Sequence, residues 1–408
     1  MKDRSWVIMH SLFKIFKTQI FALIFIFCVA NVFAQNKSIE EANELIARKK
    51  YESAINILNA ADPNNENPDI VIAKTNLFLN YFVSSIMHQM FALKDLEPGE
   101  ELMKIRGSEG NFAMFLFSPD STIKELIKKF PDNYKLHRTL GLYYHEVQLK
   151  YNGNWLVPDS VLVKEFHDYY LIAYDHEVFD YWSLYGIGYA KIWNGDYKNA
   201  IPYFVKSTEL RDDYPSSHYN LAYAYLYTDQ QEKAIESAKV ALELYEYPDY
   251  KADAARIIAV IFRELDQDNK ALEYLIAADT IQPDNYYTLK PMLEVEMELN
   301  LESYKNTTRQ FFLLAPGNPT IYQDLMKIYW NNIKEDELLG FLRSLHEEYI
   351  NDNKVNGNLY FYIGKIHYDK EEFDISKENF EKARELFKKV YEPDHRVFKV
   401  IDSYTKEI

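Results

Sequence analysis

Residues 181–214 read YWSLYGIGYAKIWNGDYKNAIPYFVKSTELRDDY. Leu184, Ile187 and Gly188 recur at three- and four-residue spacing, and so do Ala200, Phe204 and Ser207. That is the helical period. The polar joint Asn194-Gly195-Asp196 splits the run into two helices rather than one. Gly188 and Ala200 fall where the two helices would cross, so that their backbones approach closely, and Phe204 fills the space toward the next pair.

The pattern repeats. Leu221, Ala222 and Tyr225 are followed by Ala234, Ala238 and Ala241, with a polar joint at Asp229-Gln230-Gln231. Ile258, Ala259 and Phe262 are followed by Ala271, Leu275 and Ala278, closed by Pro283. The matching alanines Ala200, Ala234 and Ala271 stand 34 and 37 residues apart, a spacing that marks a helical array. Ile363, Gly364, Phe373, Ser376, Phe380 and Ala383 make another copy. A further one comes early, at Ala42, Tyr51, Ala54, Leu58 and Ala61. Other copies are degenerate. Over 288–320 the crossing positions hold Glu296 and Thr308, and over 320–353 only Leu338, Leu339, Leu342 and Leu345 betray the second helix. Leu140, Gly141 and Tyr144 open a unit whose partner helix, 159–174, follows a longer joint.

The stretch 181–214, with its small residue in the first helix and its Ala, aromatic and small residue in the second, resembles the tetratricopeptide repeat family. The resemblance implies an all-α fold: an α-solenoid of antiparallel helix pairs, wound as a right-handed superhelix. It also implies that the first helix of each pair lines a concave groove. The expected organisation is a signal peptide over 1–34, helical repeats over 35–95, an irregular insertion over 96–118, a repeat array over 119–390 and a capping helix over 391–408. A long apolar-rich helix is expected over 68–94. In the last helix Val397, Val400, Ile401 and Tyr404 share one face, as a terminal cap requires. The insertion holds Gly107, Gly110 and the apolar run Phe112–Phe117. It reads either as a loop packed on the array or as a short hairpin or lid.

The first 34 residues read as an address. Lys2, Arg4, Lys14 and Lys17 precede an apolar run from Ile20 to Phe33, and Ala34 ends it before Gln35. A basic leader, a run too short to span a bilayer and a small residue at the cleavage point make a secretory signal peptide. The mature chain should begin at Gln35. The one cysteine, Cys28, lies inside that run after Phe27, where a lipoprotein signal would need a small residue. The exported chain is then indifferent to the redox state of its compartment. The expected location is periplasmic or associated with an outer membrane.

Composition agrees. The 408 residues hold only 12 glycines, which argues against Gly-loop nucleotide folds, and a net charge of −16, which disfavours nucleic acid and anionic membrane surfaces. The ten histidines are scattered, and His145-Glu146 lacks the second histidine of a zincin helix. Glu264-Leu265-Asp266-Gln267-Asp268 lacks the glycine of a calcium loop. No catalytic constellation, metal or cofactor is expected.

The resemblance directs attention to the first helices. Opposite the packed face of 181–214 lie Trp182, Tyr185, Tyr189 and Trp193. The next unit presents Tyr219, Tyr223 and Tyr227, with Asn220 at the one position matching a carboxylate clamp. Arg138 and His145 flank one side, Arg256 and Arg263 the other. Aromatic rings supply contact area and arginines fork to carboxylates, so the rows read as a binding groove. They also read as rings packed between closely spaced helices. The expected function is an exported, non-catalytic scaffold that holds a protein or peptide segment, with no membrane span after signal cleavage. The alternative is a glycan-binding component at the outer membrane.

Overall fold

The computed structural model describes residues 36–108 and 110–406. The expected signal peptide and its cleavage point lie outside the described residues. The described residues form an all-α helical repeat divided into two compact units, with the division between Asp212 and Asp213.

The first unit opens with α1 (36–47), α2 (Tyr51–Ala61) and α3 (Pro68–Tyr81). After an insertion come α5 (Pro119–Lys129), α6 (Tyr134–Tyr151), α7 (Asp159–Asp175), α8 (Tyr181–Trp193) and α9 (Tyr197–Leu210). Short joints make consecutive helices antiparallel neighbours, and α6 packs on α7 and α8 on α9. Asp180 starts α8 with a capping box: its carboxylate accepts from the Ser183 amide at 2.9 Å, and the Ser183 hydroxyl faces the Asp180 amide at 2.9 Å. The joint after α8 turns at Gly195, whose φ of 75° is the left-handed conformation glycine adopts without strain. The crossing of α8 and α9 is where the sequence places it, with Gly188, Ala200 and Phe204 buried.

The expected helix over 68–94 does not form. α3 stops at Tyr81, and the chain enters a three-stranded antiparallel sheet of β1 (Ser84–Ile86), β2 (Met90–Leu93) and β3 (Ala113–Leu116), in that order. Ser84 and Ser85 are poor helix interiors. Met87 and His88 both take positive φ, 50° and 46°, and turn the chain so that Ile86 pairs with Met90. The segment between β2 and β3 carries the single-turn α4 (Leu102–Ile105). Residues 96–118 therefore contribute a strand to the same sheet as the hairpin before them. His88 anchors the sheet. Its ring is buried among Phe82, Phe91 and Tyr151, and Nδ1 lies 3.1 Å from both the Ser85 hydroxyl and the Tyr151 hydroxyl of α6. α5 packs against both α3 and α6, so the sheet is spliced into the joint of a helix pair.

The second unit holds α10 (Pro215–Leu226), α11 (Gln231–Leu244), α12 (Pro248–Glu264), α13 (Asp268–Ile281), α14 (Tyr286–Glu298) and α15 (Tyr304–Leu313). It continues with α16 (Pro319–Asn331), α17 (Glu335–Ser344), α18 (Asn353–Asp369), α19 (Phe373–Phe387) and α20 (Arg396–Lys406). Its early pairs pack through alanines: Ala222, Ala234, Ala238, Ala259 and Ala271 are buried. Its later pairs pack through larger side chains, among them Leu325, Leu342 and Tyr362. The degenerate crossing residues are buried as expected. Thr308 shares a 2.8 Å hydrogen bond with the Tyr329 hydroxyl, and Glu296 is 2% exposed. α20 departs from expectation. Phe398 and Ile401 are its buried residues, whereas Val400 is 42% exposed.

Candidate binding grooves

The first aromatic row belongs to α8 and runs as a ladder. Trp182 and Tyr185 stack at 5.5 Å between ring centres, Tyr185 and Tyr189 at 6.1 Å, and Trp193 follows Tyr189 at 6.3 Å. Its inner edge rests on His145 of α6, which stacks on Trp182 at 4.9 Å and on Tyr185 at 6.0 Å. Tyr185 is 8% exposed, Trp182 and Tyr189 are half-buried, and Trp193 is 47% exposed. Most of this row therefore fills the space between α6 and α8, which is the packing reading, and only its Trp193 end reaches solvent. Burial among these rings pushes the His145 imidazole down to about 3. Arg138, expected to flank a groove, forms an ion pair with Asp180, the cap of α8.

The second row lies in the other unit. Tyr219 is half-buried and meets Tyr245 edge-on at 6.3 Å, and burial pushes its hydroxyl up to about 12. The Tyr223 and Tyr227 hydroxyls are 3.3 Å apart, and Tyr227 is 54% exposed. The Asn220 amide donates to the Ser216 carbonyl of its own helix at 2.9 Å. Arg256 does not project toward a partner's carboxylate. Its guanidinium binds Asp253 at 2.5 Å, Thr288 at 2.9 Å and Gln282 at 3.2 Å, joining α12 to α14. Arg263 is likewise taken up by Glu294 and Glu298. Arg263 thus spends its charge on carboxylates of the following pair, and Arg256 on a carboxylate of its own helix.

Concave surface lies elsewhere in each unit. In the first, a cavity of about 840 Å³ is lined by α1, α3, α6 and α8, the first helices of successive pairs. Its walls mix the amides of Asn36, Asn43, Asn76 and Asn80 with apolar side chains such as Ile39, Ile72 and Leu142. Trp182 is the one residue of the predicted rows that borders it. Glu146 also lines it, and burial raises its carboxyl to about 6 while Arg106 opposes the rise.

In the second unit a cavity of about 1060 Å³ opens between α16, α18 and α20. Trp330, Phe361 and Tyr404 give it aromatic walls. Tyr404 is fixed by stacking on Phe380 at 5.1 Å and meeting Phe361 edge-on at 6.2 Å. Lys327, Lys354, Lys365 and Arg396 surround the opening, and among the described residues Asp369 is the one carboxylate lining it. None of these residues stands in a predicted row. The helical face of Val397, Val400 and Tyr404 was the signal, and it reads equally as a cap packed on its neighbour.

Among the described residues no group of three or more His, Cys, Asp and Glu side chains is arranged to hold a metal ion. No described helix is long and apolar enough to cross a membrane.

The family model for the tetratricopeptide repeat matches residues 183–214 and 215–247, the α8–α9 and α10–α11 pairs. No curated protein matches the chain in sequence at a significant level. Among solved structures, the chain is similar to a tetratricopeptide repeat protein from Parabacteroides merdae. The two are 16% identical, over 64% of this chain and 97% of that one, with a TM-score of 0.38. It is similar to MamA from Desulfovibrio magneticus at 20% identity, over 45% of this chain and 93% of that one, with a TM-score of 0.36. It is also similar to YrrB, described as a TPR protein with an unusual peptide-binding site. That identity is 14%, over 59% of this chain and 98% of that one, with a TM-score of 0.31.

Proposed function

We propose that this protein is an exported, non-catalytic scaffold whose first-helix faces hold a segment of another protein. The observation that carries the reading is that both large cavities are lined by first helices of successive pairs, α1, α3, α6 and α8 in one unit and α16 and α18 in the other. A row of side chains repeated from helix to helix matches an extended peptide, which presents its own groups at regular intervals. The amides of the first cavity both donate and accept, as a peptide backbone requires. A protein segment is favoured over a glycan because the first cavity is bordered by asparagine amides and by one residue of the aromatic rows, Trp182.

Export rests on the leader over 1–34, and N-terminal sequencing of the cell-envelope form should find Gln35. Binding is tested by photo-crosslinking in the native envelope. A photoreactive side chain at Asn76 or Trp330 should give a discrete protein adduct, and one at the exposed Lys198 of α9 should not. The absence of adducts at both grooves, or equal labelling at Lys198, would refute the scaffold reading.

A further inference from the structure

The second unit is rich in charge, and several of its cations pair with its own acids. Lys290 pairs with Asp324, Lys334 with Glu337, Lys370 with Asp336, Lys382 with Glu378, and Arg384 with Asp402. At the groove between α16, α18 and α20, Lys327, Lys354, Lys365 and Arg396 gather around one opening, with Asp369 the one carboxylate lining it among the described residues. Lys365 pairs with Asp369 at 3.1 Å. Among the described residues, Lys327, Lys354 and Arg396 have no ion-pair partner. In a chain of net charge −16, three uncompensated cations around one opening are a local reversal of sign. Their potential would be relieved by an anionic occupant.

The walls add a second requirement. Trp330 is 36% exposed and Val400 42% exposed, both at the groove, while Phe361 and Tyr404 are held in place by packing on Phe380. A wall of preordered rings next to open apolar surface suits one large apolar side chain, which would gain contact without ordering the wall.

We infer that this groove takes an acidic protein segment carrying one large apolar or aromatic residue. In this arrangement the apolar side chain lies against Trp330 and Tyr404, and the flanking carboxylates face Lys327, Lys354 and Arg396. The inference rests on the scaffold reading and narrows it to a partner chemistry and a site.

The test uses the purified protein and phage-displayed random dodecamer peptides. The expected winners place Asp or Glu on either side of a Phe, Trp, Leu or Tyr. Synthesised and measured by fluorescence anisotropy, the best of them should weaken as salt is raised. It should lose about tenfold or more in affinity to the Lys327→Glu, Arg396→Glu double variant, a change expected when two facing charges are reversed. Lys239→Glu with Lys377→Glu, on α11 and α19, makes the same change in net charge at residues that do not line the groove and should leave affinity nearly unaltered. Trp330→Ala should weaken binding with little change in melting temperature. Winners that are not acidic, or that bind the groove and control variants equally, would overturn the inference while leaving the scaffold reading intact. No winners at all would count against both. Self-association in sedimentation that the groove variant abolishes would replace the acidic segment with a second copy of this chain.

Discussion

A methyl group built on Gly188 of α8 would lie 2.8 Å from the ring of Phe204 on α9. No side chain is tolerated at that distance without movement, and the ring is fully buried. The crossing of the two helices is therefore set by the absence of a side chain on one and the presence of an aromatic on the other.

Gly188→Leu should overpack this crossing and cost about 1–3 kcal/mol. Thermal unfolding is the measurement. A melting temperature equal to that of the parent would mean that the crossing yields without strain.

The α8 ladder makes opposite predictions at its middle and its end. Tyr185→Ala removes a buried ring and should cost roughly 3–5 kcal/mol of folding. Trp193→Ala removes a ring that is 47% exposed and should cost under about 1 kcal/mol. Chemical denaturation of the two variants side by side decides the matter, and equal losses would show that the ladder is not graded from core to surface.

Acid should weaken the first unit. Burial lowers His145 to about 3 and His88 to about 4 from an ordinary 6.5, with Lys150 contributing at His88. Between those values and 6.5 the unfolded chain binds protons that the folded chain refuses. The stability these groups contribute is complete above pH 6.5 and is lost as pH falls toward 3–4, at up to about 1.4 kcal/mol per pH unit per histidine. Glu146 runs the other way. Its carboxyl is raised from 4.5 to about 6, so its contribution is present below 4.5 and lost as pH rises through 6. Two histidines outweigh one glutamate. Urea unfolding at pH 7, 5 and 4 should show falling stability, and His145→Leu should flatten the decline. A variant as acid-sensitive as the parent would place the effect elsewhere.

The sheet should loosen when its anchor is cut. Tyr151→Phe removes the hydroxyl 3.1 Å from His88 Nδ1 and should cost about 1 kcal/mol. Hydrogen exchange should quicken at β1 and β2 and stay unchanged in α16–α18. Unchanged exchange in β1 and β2 would show that the sheet does not depend on this contact.

The helical pairing could be read from 181–214 because small and aromatic residues recur there at fixed spacing, and the crossing at Gly188 follows from them. The sheet could not. Each strand spans three or four residues, too few for an alternating pattern to stand out. β2 pairs with β3 across a long intervening segment that no local reading joins. Trp182, Tyr185, Tyr189 and Trp193 lie on α8, and Tyr219 and Tyr223 on α10 with Tyr227 just past its end. Sequence spacing does not say whether a ring meets solvent or His145. The groove of the second unit draws its residues from 319 to 404, so its charge imbalance exists only after the helices have been brought together.

Tyr170 has a consequence for the helices on either side of it. Its ring, on α7, lies where a methyl on Gly141 of α6 would stand 2.6 Å away and one on Gly186 of α8 would stand 2.7 Å away. A side chain on α6 or α8 at either of these points would displace the Tyr170 ring, so both neighbours of α7 must present glycine to it. One buried ring thereby fixes how closely both α6 and α8 approach α7.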